Sequence, residues 1–168
     1  MIDREYCVMM ARYNAWQNAQ LTSLLEPLEP EELLRERGAF FGSILATLNH
    51  LLWGDQLWMS RFDGGAGPKT GIPESLRLHA TREDWGADRR ATDARISRWA
   101  DALGDDDLGG PLTWYSGAMG AELTRPRAAL IVHFFNHQTH HRGQVHAMLT
   151  ATGSKAPVSD LFFMPDVE

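Results

Sequence analysis

The sequence is poor in three features that would have assigned it to a class at once: cysteine, basic charge and long apolar runs. Its one cysteine, Cys7, cannot form an intramolecular disulfide, and the apolar residues around it predict a packed, unreactive thiol. Asp and Glu outnumber Lys and Arg by 22 to 16, giving a net charge of −6. That charge opposes general binding to nucleic acid or to an anionic membrane, so we expect a small-molecule partner.

No apolar run reaches the length of a membrane span, and no signal peptide is indicated. The first residues, MIDREYCVMM, carry acidic side chains where a signal peptide would carry basic ones. We therefore expect a cytoplasmic protein. With 168 residues, 43% hydrophobic and 23% charged, the chain has the usual globular composition, and we expect one domain over residues 1–168.

Several catalytic motifs are also missing from the sequence. It has no Glu-x-x-His pair of a di-iron carboxylate bundle, no HExxH of a zincin, no GxSxG elbow and no CxxCH haem attachment. The glycine-rich stretch DGGAGPKTG contains a lysine without the spacing of a P-loop. These absences exclude the best-marked enzyme classes and direct attention to the histidines.

Four long amphipathic helices are predicted from apolar residues that recur at spacings of three and four. The first runs from about Asp3 to Leu25, and the second opens at the N-cap Ser43 and reaches about Arg61. A Thr81 capping box opens the third helix, which ends at Gly104, and the fourth runs from near Pro126 to about Thr152. The fold class is therefore all-α.

Shorter elements are expected in the segments that connect the four helices. A short helical turn begins near Glu31, and residues 112–115 and 121–124 flank the turn-rich SGAMG as a small β-hairpin. The connection after the second helix, DGGAGPKTGIPESLRLHA, is long enough to be functional or mobile and to overhang a site. The apolar cluster in the tail KAPVSDLFFMPDVE is expected to pack back on the helices.

Five of the seven histidines lie in one stretch, IVHFFNHQTHHRGQVH, at residues 131–146. At 100° per residue, His137 and His141 fall within the apolar stripe of the fourth helix. Two imidazoles buried in such a stripe need partners, since each carries a donor and an acceptor. Their i, i+4 spacing lets both bind one metal ion, as in helical zinc motifs.

His50 of the second helix is the candidate third ligand. That helix is apolar almost all round, which predicts a central position, and Ala46 and Gly54 leave the surface on either side of His50 small. Three neutral imidazoles with a free coordination position are typical of a catalytic metal site, whereas a closed four-ligand shell is typical of a structural one.

The alternative interpretation is that these histidines are simply hydrogen-bonded or solvated, because an HxxxH pair alone is a weak signal. His140, His146 and His79 are expected at the surface, and His133 is a weaker ligand candidate.

No general base is evident beside the proposed ligands. Asp55 lies about 140° around its helix from His50 and is predicted on an outer face. Gln144 lies near the His137 side of the fourth helix and is a candidate hydrogen-bond partner of a ligand. Arg142 points about 140° away from His137 and is expected to be structural or at an interface.

The sequence resembles the DinB-like family, which is related to the bacillithiol transferases and the mycothiol-dependent maleylpyruvate isomerases. The resemblance rests on ARYNAWQNAQL, LNHLLWGDQLW and, most specifically, NHQTHHRGQ. It implies a four-helix bundle with unusual connectivity, frequent homodimers, and one divalent ion on His50, His137 and His141. Nickel or zinc is the expected metal, and iron is a further candidate.

The resemblance leaves several functions open. The first is a metal-dependent thiol S-transferase that uses a low-molecular-weight thiol, which must come from outside because Cys7 matches no family motif. The second is a metal-dependent hydrolase that activates water. The third is a non-catalytic, metal-stabilised stress or ligand-binding protein, suggested by the missing acid or base.

Overall fold

The computed structural model describes residues 2–166 and is mostly helical. Its elements, in chain order, are α1 (Arg4–Leu25), α2 (Pro30–Leu34), α3 (Ile44–Asp63), α4 (Ile72–Ser75), α5 (Arg82–Ala102), β1 (Pro111–Ser116), β2 (Ala121–Pro126) and α6 (Arg127–Thr150), with 3₁₀ turns at Asp105–Leu108 and Leu161–Phe163. Within the described residues, no helix has the combination of length and apolarity needed to cross a bilayer.

The helix boundaries follow from local chemistry. The Ser43 hydroxyl accepts from the Ala46 amide at 3.2 Å, and the Thr81 hydroxyl accepts from the Asp84 amide at 3.1 Å. Gly64 ends α3 in the left-handed conformation, at φ 70°, which a residue without a side chain adopts without strain. The two predicted N-caps are confirmed.

The four long helices pack around two apolar clusters. Helix α3 contacts both α5 and α6, and α1 contacts α5 and α6. Helices α3 and α6 run antiparallel: His50 near the start of α3 lies beside His141 late in α6, and Phe62 lies beside Phe134. This alignment determines which side chains of the two helices face each other.

The hairpin expected before the last helix is present and longer than predicted. Strands β1 and β2 pair antiparallel over their full lengths, with Trp114 opposite Leu123. Two isolated strands are marginally stable. Here the Trp114 ring packs on Trp58 of α3, with centroids 5.7 Å apart, so the helices support the hairpin.

Asp55 is not on an outer face as predicted, because the side of α3 turned away from His50 is covered by α5. Asp55 is fully buried, and it accepts hydrogen bonds from Arg89 at 2.6 Å and from Gln138 at 3.1 Å. Burial raises the pKa of the Asp55 carboxyl to about 6, although Arg89 and Gln138 act in the opposite direction. Asp55 is therefore a buried structural anion.

Arg89 is the cation of this buried pair. Its guanidinium also lies 2.8 Å from the Asp93 carboxylate, one helical turn further along α5. Burial opposes the charge on Arg89, but Asp93 and Asp55 more than offset that effect and raise its pKa. The cation remains charged, and it ties α5 to α3.

The prediction for the tail is wrong in its detail. Phe162 and Phe163 are 80% and 60% exposed, so the apolar cluster does not pack on the helices. The tail is held by its backbone instead: the Tyr13 hydroxyl donates to the Ser159 carbonyl at 2.5 Å, and Gln17 donates to the Val158 carbonyl at 2.6 Å. Polar side chains of α1, which sequence periodicity does not distinguish from solvated ones, hold this segment.

Cys7 is fully buried in the apolar cluster between α1 and its neighbours. Burial, with a smaller effect from Asp3, raises the pKa of the thiol to about 11. The expectation of a packed thiol is confirmed by this burial, and its low reactivity stays a prediction.

We expect Asp55→Ala to lower the free energy of unfolding by about 3 kcal/mol, because it leaves the buried Arg89 cation with only Asp93. Asp101→Ala, at an exposed position of the same α5 helix, should change it by less than about 0.5 kcal/mol. Urea unfolding followed by circular dichroism measures both. Equal effects of the two substitutions would contradict a structural role for the ion pair.

Candidate metal centre

His50, His137 and His141 converge between α3 and α6. Each offers a ring nitrogen, and the three nitrogens lie within 4.8 Å of one another. The ring centroids are 5.5 Å apart for His50 and His137, 5.1 Å for His50 and His141, and 4.5 Å for His137 and His141. The three histidines singled out in the sequence are thus brought to one place.

Gly54 makes this convergence possible. A Cβ atom added at Gly54 would lie 3.0 Å from Cε1 of His137, closer than side-chain atoms ordinarily approach. Because Gly54 lies one turn after His50 on α3, its missing side chain leaves room for the His137 ring beside His50. The expectation that Gly54 makes room here agrees with this contact.

A serine that sequence analysis missed orients His50. The Ser75 hydroxyl at the end of α4 donates to the Ile72 carbonyl at 2.7 Å, so its oxygen is free to accept from Nδ1 of His50, 3.0 Å away. Nδ1 then carries the proton and leaves the Nε2 lone pair available. The long connection after α3 therefore reaches the site through Ser75, and only its length hinted at this.

Gln144 plays the same part for His141. Its carbonyl oxygen Oε1 lies 2.8 Å from Nδ1 of His141, and its amide nitrogen lies 3.3 Å from Nε2 of His140. An amide oxygen can only accept, so Nδ1 of His141 donates and Nε2 again keeps its lone pair. Hydrogen-bonded histidines of this kind are the usual ligands in metal sites.

The surroundings of the His137 ring indicate whether the site suits a metal ion. Its Nδ1 atom is buried and has no hydrogen-bond partner among the described residues. Burial, followed by the neighbouring histidines, lowers the pKa of His137 to about 3, and burial with His141 lowers the pKa of His50 to about 4. Neutral imidazoles, one of them with an unpaired buried nitrogen, suit a divalent cation well.

Aromatic rings enclose the histidine cluster. Phe41, just before α3, lies with its ring centroid 4.2 Å from that of His50 and 5.3 Å from that of His141. Trp53 stacks near His50 at 6.0 Å, and its indole donates to the Thr70 carbonyl at 2.8 Å. These rings, which the sequence did not connect with the site, form the apolar side of the histidine cluster.

The remaining histidines are distributed as follows. His140 and His133 are exposed, His146 is half-buried, and His79 is half-buried with Nε2 2.8 Å from the Asp88 carboxylate. The expectation of a surface position thus holds for His140 and holds only in part for His79 and His146, because neighbouring side chains cover one side of each ring. The His133 ring lies 5.9 Å from that of His137, outside the three-histidine cluster.

Arg142 is buried beside α1. Its guanidinium donates to the Asn14 side chain and lies over the Tyr13 ring, 5.5 Å from the centroid. These contacts attach α6 to α1 on the side away from the histidine cluster, which is the structural role expected for Arg142.

Fold and site together define a helical protein with a candidate three-histidine metal centre. Comparison with known proteins narrows this class. The model of the DinB family matches residues 1–168. Protein DinB of Bacillus subtilis (strain 168) is 27% identical over 163 residues, covering 93% of this chain and 91% of that relative. The chain belongs to the DinB family.

We expect Gly54→Ala to weaken metal binding about tenfold or more, because the new methyl group displaces the His137 ring. The metal-free variant should be as stable as the parent, since Ala favours a helix over Gly by roughly 1 kcal/mol. Gly143→Ala in α6 is the matched control, because a Cβ there meets no heavy atom within 4 Å. Competition titration with a zinc chelator measures affinity, and unchanged affinity in Gly54→Ala would contradict the proposed arrangement.

The metal-free protein should lose stability as the pH falls below about 6.5. His50 and His137 have folded-state pKa values of about 4 and 3, below those of the unfolded chain. The unfolded state therefore binds more protons between these values and about 6.5, and acid favours unfolding. Above about pH 6.5, the contribution of the neutral histidines to the free energy of unfolding is fully present.

This effect is isolated by the difference in the free energy of unfolding between the parent and His137→Gln, measured by urea unfolding from pH 7.5 to 4. The raised pKa of Asp55 acts in the opposite direction below about pH 6, and it cancels in the difference. The variant should gain stability relative to the parent on acidification, by at most about 1.4 kcal/mol per pH unit. A pH-independent difference would show that His137 is not held neutral by the fold.

Proposed function

We propose that this protein is a metal-dependent enzyme of the thiol S-transferase type, acting with a low-molecular-weight thiol supplied from solution. His50, His137 and His141 hold one divalent ion, with nickel or zinc the expected metal and iron a further candidate. The observation that supports this most directly is the convergence of three neutral imidazoles, two of them with Nδ1 hydrogen-bonded so that Nε2 is free.

The chain would contribute ligands and their orientation to this chemistry. His50, His137 and His141 would hold the divalent ion, which would supply the positive charge that favours ionisation of a thiol. Ser75 and Gln144 keep two ligand rings in one orientation, and Phe41 and Trp53 pack beside them. These contacts favour fixed positions for the ligand rings.

The composition of the site suits either a thiol or water as the nucleophile. Among the described residues, the cluster consists of three imidazoles without a carboxylate, and Asp55 is engaged with Arg89 on the other side of α3. A bound divalent ion would lower the pKa of a thiol from about 8.5 and that of water from about 15.7 to about 7, so neither nucleophile needs a carboxylate base. A metal-dependent hydrolase is therefore the alternative enzyme, and the resemblance to thiol-dependent relatives favours the transferase.

The same missing acid or base favours a second function, that of a metal-stabilised stress or ligand-binding protein without catalysis.

For either function we propose that residues 1–168 form one domain and that the four long helices constitute the bundle expected of the family, supported by their mutual packing. A homodimer and a cytoplasmic location stay predictions.

The decisive experiment combines metal content with turnover. Protein purified without an affinity tag and loaded with zinc or nickel should hold one ion per chain by elemental analysis. It should consume a low-molecular-weight thiol in the presence of a haloarene or an epoxide, measured as loss of free thiol. His137→Ala should bind less than a tenth of the metal and lose turnover, because only two imidazoles remain.

His146→Ala is the matched control, since it removes a histidine of the same helix that lies outside the three-histidine cluster, and it should leave metal content and turnover unchanged. Circular dichroism must show that both variants stay folded. Stoichiometric metal without turnover across the panel would favour the non-catalytic function, and metal binding unaffected by His137→Ala would refute the site.

A further inference from the structure

The aromatic side chains beside the histidine cluster lead to Arg61, an arginine without an ion-pair partner in the part of the chain that the structure describes. The guanidinium of Arg61, in the last turn of α3, lies 4.5 Å from the ring centroid of Trp58 and 5.5 Å from that of Trp114. The Trp58 ring lies 5.3 Å from His133, whose ring is 5.9 Å from that of His137. A continuous line of side chains thus leads from the candidate metal centre to Arg61.

The positions on α3 explain this line. His50, Gly54, Trp58 and Arg61 are spaced by four, four and three residues, so they share one face of the helix. The antiparallel α6 places His137 and then His133 opposite that face. Trp58, Arg61 and Trp114 are half-buried and His133 is exposed, so this line of side chains is partly open to solvent between the histidine cluster and the hairpin.

Arg61 lacks the partner that a half-buried cation usually has. Among the described residues, no carboxylate lies within ion-pair distance of it, and no side chain or carbonyl accepts a hydrogen bond from it. Asp63, two residues further along, is occupied by two hydrogen bonds of 2.7 Å from Arg95. Burial lowers the pKa of Arg61, and no anion offsets it.

The charges along this line of side chains point the same way. A divalent ion on three neutral imidazoles would add two positive charges to that of Arg61, and the histidine cluster contains no carboxylate among the residues that the structure describes. Contact with two indole rings leaves the N–H edge of a guanidinium free to bind a carboxylate with two hydrogen bonds. A bound molecule that brings its own negative charges would balance these positive charges.

We propose that Arg61, flanked by Trp58 and Trp114, is a subsite for a carboxylate group of the thiol bound at the histidine cluster. This rests on the proposed function and adds the class of substrate: an extended thiol with an anionic end. Arg61 lies 11 residues after His50, about 16 Å along the helix axis. Its long side chain can span part of that distance, and an extended tripeptide covers about 10 Å.

Isothermal titration calorimetry with two probes tests the subsite: glutathione, a tripeptide thiol with two carboxylates, and its diethyl ester, in which both are blocked. Zinc-loaded parent protein should bind glutathione about tenfold or more tightly than the ester. Arg61→Gln should weaken glutathione binding roughly 10- to 100-fold, the effect of losing a charge-assisted hydrogen bond, and abolish the preference. Arg61→Lys should retain part of the affinity.

The matched control is Arg98→Gln, which removes an exposed arginine of α5 and should change neither affinity. Elemental analysis after each titration confirms that zinc has stayed bound. Thermal unfolding separates binding from folding, because a cation that only stabilises the end of a helix would affect stability without affecting the preference between probes.

The outcomes separate this inference from the proposed function. If the parent binds both probes equally and His137→Ala weakens both alike, the thiol binds at the metal and the Arg61 subsite is overturned. A preference for glutathione that survives in Arg61→Gln would also overturn it. A preference that depends on Arg61 but is unaffected by His137→Ala would support the subsite and refute thiol binding at the metal. Binding of neither probe would overturn both.

Discussion

The close approach of α3 and α6 at Gly54 is the constraint on which the candidate site depends. Without a side chain at Gly54, the His137 ring fits between the helices and reaches His50, while His141 follows one turn later. The same approach buries the rings, and that burial lowers the pKa values of all three histidines. Packing thus produces both the geometry and the protonation state that a metal ion requires.

Helix α3 has buried polar side chains on two opposite faces, and the side chains on each face have different partners. Toward α5, Asp55 and Arg89 satisfy each other as a buried ion pair. Toward α6, His50 has Ser75 on one nitrogen and leaves the other free. A buried polar group without a partner is costly, so the ion pair accounts for the first face, whereas the second face carries the candidate metal site.

Charge also differs between the two ends of the α3 face that carries His50 and Arg61. At one end, the neutral imidazoles of His50, His137 and His141 form the candidate metal site. At the other, the Arg61 guanidinium lies near the rings of Trp58 and Trp114 and forms no ion pair with a carboxylate of the described residues. The proposed thiol with an anionic end would meet positive charge at both ends once a metal ion is bound, and this restricts the class of ligand more than the overall charge of the protein does.

The sequence by itself determined the features that depend on neighbours along the chain. The i, i+4 spacing of His137 and His141, the caps at Ser43 and Thr81, and the hairpin around SGAMG follow from helix and turn geometry, and the structure has them as expected. His50 could be chosen as the third candidate ligand from the apolar residues around it on one helix. Whether its ring lies beside those of His137 and His141 depended on how the helices pair.

Tertiary structure alone decided what depends on residues far apart in the chain. Asp55 was predicted to face outward because helical angles give positions relative to His50 and do not show that α5 covers the opposite side. Ser75 comes from a connection without a periodic pattern, and the exposed Phe162 and Phe163 follow from polar contacts of α1 with the tail backbone. Periodicity identifies the face of a helix, but only packing determines what that face meets, because contact requires two surfaces and the pattern describes one.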